Sequence, residues 1–133
     1  MIKTKGAQAY KNQVAIGAEG AKPEELVGLL FTRLLETLAK ARQFMEMKNF
    51  AEKASRINHA IEIITTLEQA LDHEQGGELS GNLQALYQDS TKQLLTAHTN
   101  NDVVLLDEVV SLMREIHEGW QGMLAGKTVP PQK

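Results

Sequence analysis

Residues 50–71, FAEKASRINHAIEIITTLEQAL, repeat apolar side chains three and four positions apart, the period of an α-helix rather than the alternation of a strand. At 100° per residue, Phe50, Ala54, Ile57, Ala60, Ile61, Ile63, Ile64, Leu67 and Leu71 cover an arc of about 180°. Asn49 stands in the N-cap position, with Glu52 three residues on to close a capping box. Gly76-Gly77, inside the polar stretch from Asp72 to Glu78, breaks the pattern.

Outward from this stretch the same period recurs three times. A first helix is predicted from Pro23, suited to the first helical position with Glu24 and Glu25 complementing the dipole, to about Met47. A third is predicted from about Leu79 to His98, and a fourth from an Asn101 or Asp102 cap to about Leu124. No proline lies between Pro23 and Pro130, and helix-forming residues dominate that interval. Connections this short favour antiparallel neighbours, so the expectation is an all-α, up-down-up-down four-helix bundle over residues 23–125. Ala7, Tyr10 and Val14 share one side of a short N-terminal cap helix within residues 1–22, and residues 126–133 read as a flexible tail.

Composition removes several function classes. The chain has 133 residues, 42% of them apolar, no cysteine and a net charge of −3. It is long enough to bury about two-thirds of its surface in one domain. Without cysteine there is no disulfide framework, thiolate metal site or cysteine nucleophile. No apolar run has the length of a membrane span or signal peptide, and a cytoplasmic location is the simplest reading. A mildly acidic chain with few aromatic residues is a poor match for nucleic acid.

The motifs of catalysis and cofactor binding do not assemble. A di-iron bundle needs paired Glu-x-x-His motifs, whereas His59 and Glu62 stand in the reverse order on a polar face. No phosphate-binding glycine loop is present, and Ser80, Ser90 and Ser111 show no accompanying triad pattern. No cofactor or metal is expected. Histidine phosphotransfer through His59 is the enzyme-like alternative, opposed by the negative charge of Glu62 where a cationic phosphate donor is wanted.

What stands out is apolar width. The fourth helix carries Val103, Leu105, Leu106, Val109, Val110, Leu112, Met113, Ile116 and Trp120 over about 180°, as wide as the second, where a core stripe needs little more than about 100°. The third confines Leu79, Leu83, Leu86, Tyr87, Leu94 and Ala97 to about 100°, with no width to spare. Flanking positions of a bundle helix also pack on neighbours, but two wide helices together predict an apolar groove for a partner helix, or a homodimer surface.

The order and spacing of several elements resemble the flagellar secretion chaperone FliS family. These are Ala9-Tyr10; Pro23-Glu24-Glu25-Leu26; Ala60 through Ile63-Ile64 to Leu67; Leu71-Asp72 with Gly76-Gly77-Glu78-Leu79; Asn82-Leu83 with Leu86-Tyr87; and Glu108-Val109 to Arg114-Glu115 and Trp120. The resemblance implies a non-enzymatic bundle that binds the C-terminal segment of flagellin in the cytoplasm. It further implies that flagellin displaces an N-terminal segment bearing the tyrosine, that the loaded chaperone docks at the export gate, and that some members contact an anti-sigma factor. A regulatory adaptor for such a factor or an export component is the remaining alternative. Groove or lid residues are expected at Tyr10, Ile57, Ile61, Ile64, Leu83, Leu86 and Tyr87. The chain departs from the family pattern at Lys22 before Pro23, at Phe31-Thr32-Arg33, and at Thr66 before Leu67.

Overall fold

A computed structural model describes residues 23–124, and within them the side chains of 24–122. The expected cap helix with Tyr10 and the expected tail lie outside the described residues. The four helices are α1 (Pro23–Met47), α2 (Phe50–Gln69), α3 (His73–Asn100) and α4 (Val103–Leu124). The connections are two or three residues long, so consecutive helices fold back on each other.

Polar contacts between helix ends fix the directions. Trp120 Nε1 near the end of α4 donates to Glu24 O at the start of α1 (3.3 Å). At the opposite end, Arg42 of α1 forms a two-pronged pair with Asp107 of α4 (2.8 and 3.1 Å), which also makes α1 and α4 antiparallel. Glu68 near the end of α2 accepts from Gln84 and Gln88 near the middle of α3 (3.3 and 2.8 Å). Each helix packs on two others: α1 on α2 and α4, and α3 on α2 and α4. The diagonal pairs stay apart. The α1–α2 pair is the closest and the α3–α4 pair the loosest.

The core is leucine-rich on α1, where Leu26, Leu30, Leu34 and Leu38 are fully buried, and isoleucine-rich on α2. Leu94 and Ala97 of α3 and Leu106, Val109 and Met113 of α4 complete it. Phe31, one of the departures from the family pattern, is buried and stacks on His117 with ring centroids 5.2 Å apart. Thr66, another, is buried and returns its hydroxyl to Glu62 O (3.0 Å), a site where a glutamate would need a charge partner.

Capping follows the sequence in part. Asn49 Oδ1 accepts from Glu52 N (3.3 Å), while its own N–H donates to Phe44 O (2.9 Å), so only half of the capping box forms. Asp102 caps α4 through Leu105 N (3.1 Å), and Asn101 instead closes α3 in the left-handed region with φ 50°. The third helix starts earlier than expected. Asp72 caps a first turn through Glu74 N and Gln75 N, Gly77 bends the chain at φ 55° and ψ −128°, and the helix resumes. That backbone region is open only to glycine, so the glycine pair breaks the helix as expected, and what the sequence did not announce is the single capped turn ahead of it.

Candidate functional site

Burial separates the apolar residues that the wide arcs grouped together. Ile57, Ile64 and Tyr87, three of the expected groove residues, are enclosed in the core. α2 meets α1 on one flank and α3 on the other, and the two neighbours between them cover most of a half-circle of side chains. Burial also pushes the Tyr87 hydroxyl well above the usual phenol range, so this ring belongs to the interior rather than to a boundary position. Ile61 is half-buried on the side of α2 that faces α3, seven residues before Glu68 on the same edge.

The unclaimed apolar surface lies elsewhere. Gln84 and Gln88 mark the side of α3 that faces α2. Leu79, Leu83 and Leu86 lie on the other flank, toward α4. Leu79 and Leu86 are 41% and 36% exposed, and Leu83 is half-buried against the core. The expectation that the third helix has no apolar width to spare is therefore corrected, because its narrow arc is turned partly off the core axis and into the loosest seam of the bundle.

α4 supplies the opposite wall. Its α1-facing side is marked by Asp107 and His117. On its other flank Leu105, Leu112 and Ile116 are half-buried. In an antiparallel hairpin the first half of α3 lies beside the second half of α4, which brings Leu79, Leu83 and Leu86 to one edge with Ile116, and Leu112 follows on the same edge near the middle of α4. Ser90 lies on the same flank of α3, fully buried, with a hydroxyl that has no hydrogen-bond partner.

One structural residue was absent from the sequence reading. Lys53 is 3% exposed, donates to His98 O (2.9 Å) and Asn101 Oδ1 (3.1 Å), and lies 4.9 Å from the centroid of the Phe50 ring. Asn101 Nδ2 in turn donates to Met45 O (3.2 Å), so one lysine and one asparagine join the ends of α1 and α3 to the start of α2. The signal was in the helical wheel, where Lys53 falls inside the arc of Ile57, Ala60 and Ile64. Burial, and then the nearby Lys53 charge, lower the pKa of His98; burial lowers that of His117, opposed by Glu118.

His59 stands on the outer face of α2 with its Nδ1 3.6 Å from Glu62 Oε1, in an open hollow with Ser55, Arg56 and Asn58. A carboxylate that close opposes a phosphoryl group on this histidine. No described helix is long and apolar enough to cross a membrane.

The chain is thus an all-α four-helix bundle with a partly exposed leucine edge along an interhelical seam. The family model described as flagellar protein FliS matches residues 6–127, and the chain belongs to that family. It is 45% identical over 125 residues to the flagellar secretion chaperone FliSB of Pseudomonas aeruginosa, covering 92% of this chain and 98% of that one. It is 39% identical over 129 residues to the flagellar secretion chaperone FliS of Escherichia coli, covering 93% of both chains. The relative from Vibrio cholerae, of the same name, is 32% identical over 127 residues, covering 94% of this chain and 88% of its own.

Proposed function

We propose that this protein is a cytoplasmic export chaperone that holds the C-terminal segment of flagellin, keeps it from polymerising, and delivers it to the flagellar type III export apparatus. Membership of the FliS family supports the chaperone role. The observation that carries the binding mode is the α3 edge of exposed Leu79 and Leu86 with half-buried Leu83, on the flank toward Leu112 and Ile116. The client docks there as an amphipathic helix, and Ile61 extends the contact over the neighbouring α2–α3 seam. Ile57, Ile64 and Tyr87 hold the floor from inside the core. Tyr10 belongs to a lid that competes with the client.

The driving force is apolar burial. About 1,000 Å² of apolar contact at ~25 cal/mol per Å² is worth about 25 kcal/mol gross, most of it offset by ordering the client and by lost translational freedom. Titration calorimetry with flagellin and with flagellin lacking its C-terminal segment tests the proposal. Binding is expected to the first only. Leu83→Asp is expected to abolish binding while leaving the helical circular dichroism intact, and Tyr10→Ala to tighten it. Equal binding by both forms of flagellin would remove the proposal.

A further inference from the structure

The charges bordering the leucine edge have one sign. On the α3 rim stand Glu78 and Asp89, and on the α4 rim Glu108 and Glu115, all four exposed and none in an ion pair among the described residues. The other rim positions of the described helices are neutral: Asn82, Gln93 and Ser111, with Gly119 at the lower edge. Of the nearest cations in sequence, Arg114 faces α1, and Lys92 lies on the outer face of α3 about 40° beyond Glu78. An apolar seam between two unpaired acidic rims repels an acidic occupant and attracts a basic one.

Resting on the peptide-holding role above, we propose that this seam selects helices whose apolar stripe is flanked by lysine or arginine, with Asp89, Glu108 and Glu115 as the specificity-determining residues. The leucines supply contact area common to any amphipathic helix. The rims decide which helix is retained, because each misplaced carboxylate on the occupant meets like charge at the edge of a desolvated contact.

The test uses the full chain and two labelled helical peptides of about 20 residues with the same leucine stripe, one flanked by lysines and the other by glutamates. Fluorescence anisotropy at low salt is expected to show the lysine-flanked peptide bound about tenfold more tightly, a preference that shrinks as salt screens the rims. Glu108→Lys with Glu115→Lys is expected to reverse the order of the two peptides. Equal affinities, or an order unchanged by the double reversal, would overturn the charge selection. If Leu83→Asp still abolished binding in that case, the leucine edge would stand without its rims. If Leu83→Asp left the lysine-flanked peptide bound, the charges would act at another surface and the proposal would fall. Two further outcomes would also overturn it. A sedimentation change in the double reversal with no change in peptide affinity would give the seam to a second copy of the chain. A carbodiimide cross-link from Lys11 to Glu115 that saturating lysine-flanked peptide does not diminish would give it to residues 1–22.

Discussion

α2 and α4 carry apolar arcs of equal width in the sequence and fold to opposite ends. α2 buries Ile57, Ala60, Ile63, Ile64 and Leu67, leaving Ile61 and Leu71 half-covered and Phe50 exposed. α4 buries only Leu106, Val109 and Met113, while Val103, Leu105, Val110, Leu112, Ile116 and Trp120 stay half-covered. Arc width therefore measures what a helix could bury, and the closeness of its neighbours decides what it does bury. α2 is clasped by the tightest pair in the bundle, whereas α4 faces α3 across the loosest. Of the half-covered residues of α4, Leu105, Leu112 and Ile116 lie on the α3-facing flank, where a partner helix can use them.

The largest effect should come from the closed side. Ile64→Ala in the filled core is expected to cost about 3 kcal/mol of stability by urea unfolding, from lost transfer and an incompletely collapsed cavity. Leu112→Ala on the open side should cost less than about 1 kcal/mol, since its side chain is already partly in water. Client affinity should rank the two oppositely, with Leu112→Ala weakening binding about tenfold and Ile64→Ala leaving it unchanged in the folded protein. Equal stability losses would erase the contrast between the helices.

Lys53 offers the next effect in size. Lys53→Met keeps the length of the side chain but leaves His98 O and Asn101 Oδ1 without their donor, at a cost of about 2 kcal/mol. Because this junction ties α1, α2 and α3 at the end of α3 remote from Leu79, Leu83 and Leu86, client affinity should not move. Urea unfolding and calorimetry on the same sample separate the two.

The four helices and their antiparallel order were legible in the sequence, because the 3.6 period, the Asn49 and Asp102 caps and the short connections are all local signals. The start of α3 was not, because a glycine pair reads as a stop whether or not the chain resumes its helix beyond the bend at Gly77. Nor could periodicity divide core from surface. Ile57 and Ile61 sit on one arc, and which of them is enclosed depends on how far α3 stands from α2. Among the expected site residues within the described chain, Leu86 is exposed and Leu83 and Ile61 half-buried. The exposed Leu79 and the acidic rims were missed, because both acquire meaning only when α3 and α4 are set side by side.

Proton linkage probes how dry the closed side of α4 is. His117 stacks on Phe31 and His98 adjoins Lys53, and both have folded pKa values below the ordinary imidazole range. For a base whose folded pKa is lowered, the unfolded chain binds more protons as pH falls below about 6.5, so stability is full above that pH and declines toward the folded value. The urea midpoint should fall between pH 7.5 and 5.5. His117→Phe keeps an aromatic ring on Phe31 and cannot take up a proton, so its midpoint should fall less than that of the unaltered protein. Parallel declines would mean that water reaches His117 and that the α1-facing side of α4 is no drier than its α3-facing side.

Trp120 gives the smallest effect and the finest division of the two flanks. Its indole donates to Glu24 O at an exposed position, so in Trp120→Phe water can replace the lost donor and the stability cost should be about 0.5 kcal/mol. The bond joins α4 to α1 and not to α3. It fixes where α4 ends without setting the width of the seam near Gly119, and client affinity should shift less than about threefold, under about 0.7 kcal/mol. A tenfold loss of affinity with so small a loss of stability would move Trp120 into the client contact, and the open surface would then extend round α4 to the side that faces α1.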